Sequence, residues 1–359
     1  MRDCTKPSLR VSKLNSMRAR IENWLLRHWY AEDRPPWFLR ALEPVYRAGF
    51  HRAQKKVETD TVNPAAQSGS RAAVIIVGNI TAGGSGKTPL VIRLCQLALE
   101  MQLKPGIAST GYGRQSKDTL VVEPGSDVRI CGDEPVMLAA RTGVPVVVAA
   151  DRAEAVKRLQ AMDLDLIISD DGLQRAALPR DMEFCVIDGE RGLGNGHLLP
   201  AGPLREPAER LETVDHVVSN GTWRDKPPTI QVIEMALLAS VVKSLDDNTE
   251  YPVGQFQRKY AGNIVHAVAG IGNPERFFRM LEGLGFKVRR HRFADHHAFR
   301  SRDFDSIRGE PAIIMTEKDA VKCRALGLKN AWYMPVEARL PAEFESVIND
   351  RFSKLTKDS

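Results

Sequence analysis

Long hydrophobic runs are missing from this chain, and so is any patterned use of cysteine. Nowhere do eighteen or more uncharged apolar residues follow one another, so no membrane-spanning helix is predicted. The longest uncharged, apolar-leaning run, residues 72–86, is broken by Asn79, Thr81 and Ser85. It reads as a buried strand followed by a glycine loop. The N-terminus lacks the basic start, apolar stretch and small-residue cleavage site that make up a secretory signal. The five cysteines (Cys4, Cys95, Cys131, Cys185, Cys323) are scattered, odd in number and contain no Cys-x-x-Cys pair. That argues against zinc and a disulfide framework and fits a reducing compartment. Excess basic charge is scarce outside one terminus. Residues 1–60 hold 13 Lys or Arg against 7 Asp or Glu, which accounts for the whole net charge of +6. A nucleic-acid enzyme spreads its basic surface over the catalytic body. Charge confined to one end predicts a local anionic partner and no nucleic acid.

What is present is enough for a globular protein. At 359 residues, with 43% hydrophobic and 27% charged residues, the chain can build two domains with proper cores. Three of the five tryptophans, Trp24, Trp29 and Trp37, fall in the first sixty residues. On a helical wheel Phe38, Leu39, Ala41, Leu42, Val45, Tyr46 and Phe50 share one broad arc, with Arg40, Arg47 and His51 opposite. Such a helix either lies in a membrane interface or packs on the protein's own core, and the local charge favours the membrane. Residues 59–70 read as a loop.

From residue 71 short Val/Ile-rich runs alternate with helical stretches. Strands are predicted at 72–78, 106–109, 119–122, 144–149, 164–169, 182–188 and 216–219, with helices such as 89–101 and 152–162 between them. Near-continuous apolar strands belong to a parallel sheet covered on both faces, so the fold class is α/β and doubly wound. Gly221, Pro227 and Pro228 cluster at a weaker boundary. Beyond it the alternation restarts, with strands at 263–269 and 312–316 and a helix at 274–284 that Asn273 caps and Pro274 opens. The expected division is an N-terminal segment (1–70), a core (71–225) and a smaller α/β domain (226–359).

The strongest signal is the strand Val74-Ile75-Ile76-Val77-Gly78, then Thr81-Ala82-Gly83-Gly84-Ser85-Gly86-Lys87-Thr88, then a helix. Glycines let successive backbone N–H groups curl toward phosphate oxygens, and the helix N-terminus adds positive charge. Lys87 is placed for the β and γ phosphates and Thr88 for Mg²⁺. Thr81 stands where a phosphate loop usually has its first glycine, and Pro89 is tolerable in a first helical turn. A kinase also needs an acid at a nearby strand end to hold the metal. Asp170 and Asp171 follow the apolar strand 166–169, the edge where α/β folds place ligands. They read as metal ligands or as turn aspartates capping the next helix. Asp133 and Glu134 lie in an acidic turn that is ambiguous by itself. Asp295-His296-His297 reads as a metal cluster, a base dyad or a surface turn.

Taken together, these stretches resemble the tetraacyldisaccharide 4′-kinases, which phosphorylate the lipid A precursor. The matching runs are 77–89, Gly111-Tyr112-Gly113, Gly132-Asp133-Glu134-Pro135, Ser169-Asp170-Asp171-Gly172-Leu173-Gln174, 198–207, 269–274, Asp295-His296 and Thr316-Glu317-Lys318-Asp319. Thr81 is what this family has in its loop. The resemblance implies a P-loop NTPase-like, mainly parallel sheet with a second, smaller α/β domain and an N-terminal amphipathic helix. It implies ATP and Mg²⁺, a tetraacyldisaccharide 1-phosphate acceptor, and a peripheral or monotopic place on the cytoplasmic face of the inner membrane. By the same resemblance the loop from Thr81 through Ala82, Gly83, Gly84, Ser85 and Gly86 to Lys87 and Thr88, together with Arg205, serves the nucleotide. Thr88, Asp170, Asp171 and Glu206 serve the metal. Asp133 receives the proton of the sugar 4′-hydroxyl, with His296 as its dyad partner. Thr110 stands where an arginine is expected before Gly-Tyr-Gly, and Arg175 where a histidine is expected after Leu-Gln. Two other readings stay open at this level: a P-loop kinase acting on a soluble metabolite, and a nucleotide-driven switch with no use for Asp133.

Overall fold

The computed structural model describes residues 21, 24–30, 34–60, 71–175, 177–247 and 249–357, with no side chain described at 51 or 53–60. Cys4 and most of the expected 59–70 loop therefore lie outside the described residues. Among the described residues no helix is long and apolar enough to cross a membrane.

The helices are α1 (Trp37–Asp60), α2 (Lys87–Glu100), α3 (Val128–Cys131), α4 (Asp133–Thr142), α5 (Arg152–Gln160), α6 (Val253–Lys259), α7 (Pro274–Gly283), α8 (Glu317–Cys323) and α9 (Ala342–Leu355). The strands are β1 (Ala73–Gly78), β2 (Pro105–Ser109), β3 (Leu120–Val122), β4 (Val146–Val148), β5 (Leu166–Asp170), β6 (Met182–Asp188), β7 (His216–Asn220), β8 (Val232–Leu238), β9 (Val241–Ser244), β10 (Glu250–Pro252), β11 (Ile264–Ala269), β12 (Lys287–Arg292), β13 (Ile313–Thr316), β14 (Ala331–Met334) and β15 (Glu337–Arg339).

A nine-stranded sheet runs in the order β15-β8-β7-β6-β1-β5-β2-β4-β3. β1 is central and pairs in parallel with β5 and β6, so neither of its edges is free, and a hydrophobic core covers each of its faces. Its side chains divide by the two-residue period of a strand. Ala73, Ile75 and Val77 enter the core beneath α2, while Val74 and Ile76 enter the core on the opposite face. That double burial is why the run is continuously apolar instead of alternating.

The second sheet has the order β10-β9-β14-β13-β11-β12. It does not begin at the Gly221/Pro227/Pro228 cluster. β8 lies beyond that cluster yet pairs in parallel with β7 of the larger sheet. The prolines serve a loop inside the first sheet, since nothing in a β7-to-β8 connection needs their missing N–H groups. After β14 the chain returns. β15 pairs antiparallel with β8, and α9 packs on α2, with Ile348 and Phe352 buried among Leu94 and its neighbours. Arg93 of α2 grips Glu345 of α9 through two hydrogen bonds of 2.8 and 2.9 Å. The smaller sheet is therefore an insertion, entered and left along one edge of the larger one.

The apolar arc of α1 splits in two. Leu39 is buried, Tyr46 is half-buried and donates to the Arg205 carbonyl at 3.1 Å, and Glu43 beside them accepts from the Leu198 N–H at 3.2 Å. Phe38, Leu42 and Val45 stay exposed, and with Trp24 and Trp37 they leave an apolar surface beside Arg40 and Arg47. One edge of the helix packs on the body and the other faces outward.

Candidate active site

The C-terminal ends of β1, β5, β6 and β7 gather at one edge of the larger sheet, beside the strand-order reversal at β1. The ends of β11, β12 and β13 bring Gly272, His296 and Lys318 to face them. Between the two sheets lies a cleft of about 1380 Å³ lined by Gly83, Gly84, Gly86, Lys87, Thr88, Asp170 and Asp171 from one side and by those residues from the other.

The phosphate loop follows β1. Thr81 is extended and bridges Leu204, the Ala82 N–H donates to the Pro203 carbonyl at 2.7 Å, and Arg205 N–H donates to Ile80. This short pairing explains Thr81: the position needs no left-handed backbone, so a side chain is allowed where other loops need glycine. The same pairing engages the Ala82 N–H, so that Ala82 joins the loop through its backbone contact with Pro203. Gly86 has φ of 96°, and a Cβ there would lie 2.3 Å from the Asn220 amide nitrogen. Only glycine fits where α2 begins. Lys87 donates to Asn79 Oδ1 at 3.1 Å and stands 3.4 Å from Asp171.

The adjacent aspartates have opposite electrostatics. Burial would raise the Asp171 carboxyl, but Lys87, Arg205 and Arg152 outweigh it and hold it at about 2. Asp170 is buried, and with Glu134 nearby its carboxyl is pushed up to about 7. Its Oδ1 is buried without a hydrogen-bond partner. An orphaned carboxylate oxygen beside a threonine and a second carboxylate suits a hard divalent cation. Among the described residues no three His, Cys, Asp or Glu side chains form a ready-made metal cage. Glu206 stands behind this group. Its carboxylate accepts from Gln174 at 2.6 Å and lies 3.6 Å from Arg210, so these partners occupy it. Arg205 lines the cleft and reaches Asp171 at 3.4 Å.

Asp133, at the start of α4, and His296, in the loop after β12, meet across the cleft. His296 Nδ1 lies 3.1 and 3.2 Å from the two Asp133 oxygens. His297 instead faces Asp303 at 3.0 Å. Burial would raise the Asp133 carboxyl, but His296, Lys318 and Lys322 hold it at about 2. Asp171 and His296 both carry positive φ, 61° and 56°. A left-handed backbone at non-glycine residues costs about 1–3 kcal/mol and persists where the surroundings enforce it.

Arg152, Asp188 and Tyr30 carried no sequence signal of their own. Arg152 is buried, donates to the Asp170 carbonyl at 3.0 Å and to Thr110 Oγ1 at 3.4 Å, and so steadies the strand end. Arg175 is exposed. Asp188, ending β6, accepts from Asn273 at 3.0 Å and Arg276 at 2.7 Å. Asn273 therefore begins α7 in position but turns its side chain to the other sheet instead of capping. Tyr30 reaches the Ala82 carbonyl at 3.3 Å, so residues 24–30 brace the phosphate loop from outside.

The family model for tetraacyldisaccharide-1-P 4′-kinase matches residues 35–353. The chain belongs to this family. The tetraacyldisaccharide 4′-kinase of Hahella chejuensis is 42% identical over 336 residues, covering 92% of this chain and 97% of that one. The enzyme of that name from Shewanella frigidimarina is 45% identical over 286 residues, 79% of this chain and 82% of the relative. The crystal structure of LpxK from Aquifex aeolicus in complex with ATP superposes with a TM-score of 0.70 at 27% identity, covering 88% of this chain and 98% of that one. Family membership makes the chain an ATP-dependent kinase with a P-loop fold.

Proposed function

We propose that this chain transfers the γ-phosphoryl group of ATP to the 4′-hydroxyl of a tetraacyldisaccharide 1-phosphate at a membrane surface. The observation that carries this reading is that Lys87 and His296, the latter paired with Asp133, line one cleft from opposite sides. A donor phosphate held on the first side is presented to an acceptor hydroxyl held on the second, which is the positioning that phosphoryl transfer needs. The loop N–H groups of residues 83–86 and the Lys87 ammonium balance charge on the transferring group, and Arg205 assists at the nucleotide. Thr88, Asp170 and Asp171 would hold Mg²⁺, with Glu206 supporting Arg210 and Gln174 behind them. The bound ion supplies charge neutralisation at the β and γ phosphates. Asp133 accepts the hydroxyl proton as the bond to phosphorus forms. A carboxyl held near 2 is a weak base. It suits a loose transition state, in which the proton leaves late.

The acyl chains of such an acceptor stay in the bilayer. The exposed edge of α1, with Trp37, Phe38, Leu42 and Val45 beside Arg40 and Arg47, supports a peripheral attachment to an anionic leaflet, the cytoplasmic face of the inner membrane. The division into segments 1–70, 71–225 and 226–359 is replaced in this reading by a catalytic body that includes β15 and α9, with the smaller sheet inserted in it. The test is transfer from labelled ATP to tetraacyldisaccharide 1-phosphate by wild type and Lys87→Ala. Wild-type transfer lost in the variant is expected. Turnover of ATP that neither needs nor modifies the lipid would remove the reading.

A further inference from the structure

The run Thr316-Glu317-Lys318-Asp319 has no assigned role in the reaction proposed above. Three of its members are accounted for by the fold. The Thr316 hydroxyl caps α8 by accepting from the Asp319 N–H at 3.2 Å and donates to Asp319 Oδ2 at 2.7 Å. Asp319 Oδ2 also accepts from the Gly270 N–H at 2.9 Å, tying α8 to the loop after β11. Glu317 pairs with Arg141 of α4 at 2.9 Å. Lys318 is different. Its ammonium leaves its own element and points into the group around His296.

There Lys318 Nζ stands 2.8 Å from Glu134 Oε1, 3.5 Å from Asp295 Oδ1 and 3.3 Å from His296 Nε2. A lysine ammonium only donates. The ring nitrogen facing it must therefore be the acceptor and carry no proton. A neutral imidazole bears its one proton on the other nitrogen, so Nδ1 is the donor to Asp133. The remaining contact agrees. Asp295 Oδ1 is 3.8 Å from Nε2, too far for the hydrogen bond that a protonated Nε2 would make. The other groups around the ring are Tyr112, 4.8 Å away between ring centres, and Lys322, whose ammonium is 3.7 Å from Asp133.

We infer that Lys318 is a positioning residue that fixes the tautomer of His296, keeping Nε2 bare so that Nδ1–H is always aimed at Asp133. This rests on the reading of Asp133 and His296 as the acceptor-side pair. With the opposite tautomer, a lone pair would face the carboxylate and the pair would lose its hydrogen bond. The same ammonium also disfavours a proton on Nε2 and so opposes formation of the imidazolium. His296 pulled by Asp133 alone would charge more readily, and a charged His296 would weaken Asp133 further as a base. Glu134 holds Lys318 in place. Burial would lower the lysine, but Glu134, Asp295 and Asp133 keep it charged well above the ordinary lysine range.

The test has a spectroscopic arm and a kinetic arm. At a pH above the acid limb, where the ring is neutral, wild-type protein labelled with ¹⁵N-histidine should show His296 with a protonated Nδ1 and a bare Nε2, assigned by difference from His296→Asn. A protonated Nε2 in the resting protein overturns the inference without any lysine variant having to fold. In the kinetic arm, kcat/KM is followed against pH for wild type, Lys318→Met, Lys318→Arg and His296→Asn. Lys318→Met should lower the plateau about 10–100-fold, as loss of an orienting partner does. It should also move the acid limb upward by about one pH unit, because a neighbouring positive charge is gone. Lys318→Arg should restore the limb even if the plateau stays low. A purely structural lysine would lower the plateau and leave the limb where it was, which overturns the inference while His296→Asn still abolishes the limb. If the limb survives in His296→Asn, the acceptor-pair reading itself falls and takes this one with it.

Discussion

Asn79 and Lys87 are hydrogen-bonded across the phosphate loop, with the ammonium 3.1 Å from Oδ1. Asn79 in turn donates to the Thr81 carbonyl at 2.7 Å. The lysine is thus held at the loop before any nucleotide arrives. Lys87→Ala should lower kcat about 10²–10³-fold, the usual cost of removing one preorganised charge-stabilising donor. Rapid-quench measurement at saturating ATP separates this from weakened binding.

Replacing Asp133 should spare nucleotide binding and stop transfer. Asp133→Asn keeps the shape and removes the proton acceptor, and a drop in kcat of about 10²–10⁴-fold is expected. Isothermal titration with an ATP analogue should give an unchanged Kd. The pH profile follows from the same pair. Asp133 is held at about 2 and stays ionised through the accessible range. His296 titrates above its ordinary value, because burial lowers it but the Asp133 hydrogen bond raises it more. Activity should therefore rise with pH through the histidine range, and no limb should appear in the ordinary carboxylate range.

Asp170 makes the metal-free protein pH-sensitive. Its folded carboxyl titrates near 7, above its unfolded value, so the folded state binds more protons between those values. Stability from this group is present at low pH and falls as pH rises toward 7. Asp170→Asn should then stabilise the protein in EDTA at pH 8, by about 1–3 kcal/mol, while abolishing turnover. Urea denaturation at pH 5 and pH 8 checks it. A variant less stable than wild type at pH 8 would contradict the assignment.

Gly272 touches the phosphate loop. A Cβ at that position would sit 2.5 Å from the Gly84 backbone nitrogen. Gly272→Ala should push the two sheets apart at the cleft and reduce kcat/KM about 10–100-fold through misplacement, with little change in melting temperature. Steady-state kinetics beside calorimetry decide it, and full activity would mean that the two loops separate during turnover.

The outer edge of α1 offers a separate test. Trp37 is 80% and Val45 68% exposed, so a Trp37→Glu, Val45→Glu variant should change folding stability by no more than about 0.5 kcal/mol. Co-sedimentation with anionic phospholipid vesicles should fall sharply, while transfer to a dispersed short-chain acceptor persists. Unchanged sedimentation would remove the interfacial role of this edge.

The parts readable from sequence were those whose physics is local. β1, the glycine loop and the start of α2 follow from backbone demands within one stretch, and strand 182–188 was legible to the residue. Thr81 made sense only once Leu204 lay beside it. His296 and His297 could not be separated in one dimension, because their carboxylates lie 163 and 6 residues away. The proline cluster before β8 resembled a boundary because a loop within a sheet and a loop between sheets use the same residues. Arg152 was silent and Lys318 was visible only as part of a run without a role, since a buried cation is specified by what folds around it.

β15 and α9 close the edge of the sheet that carries the phosphate loop, although the whole insertion lies between them and β8 in the chain. During translation β8 must wait for its outer neighbour, and α2 for the helix that covers it, until the whole insertion has left the ribosome. The larger sheet is therefore covered only after β15 and α9 have emerged, and a fragment truncated after β14 would lose part of its catalytic body rather than a dispensable tail.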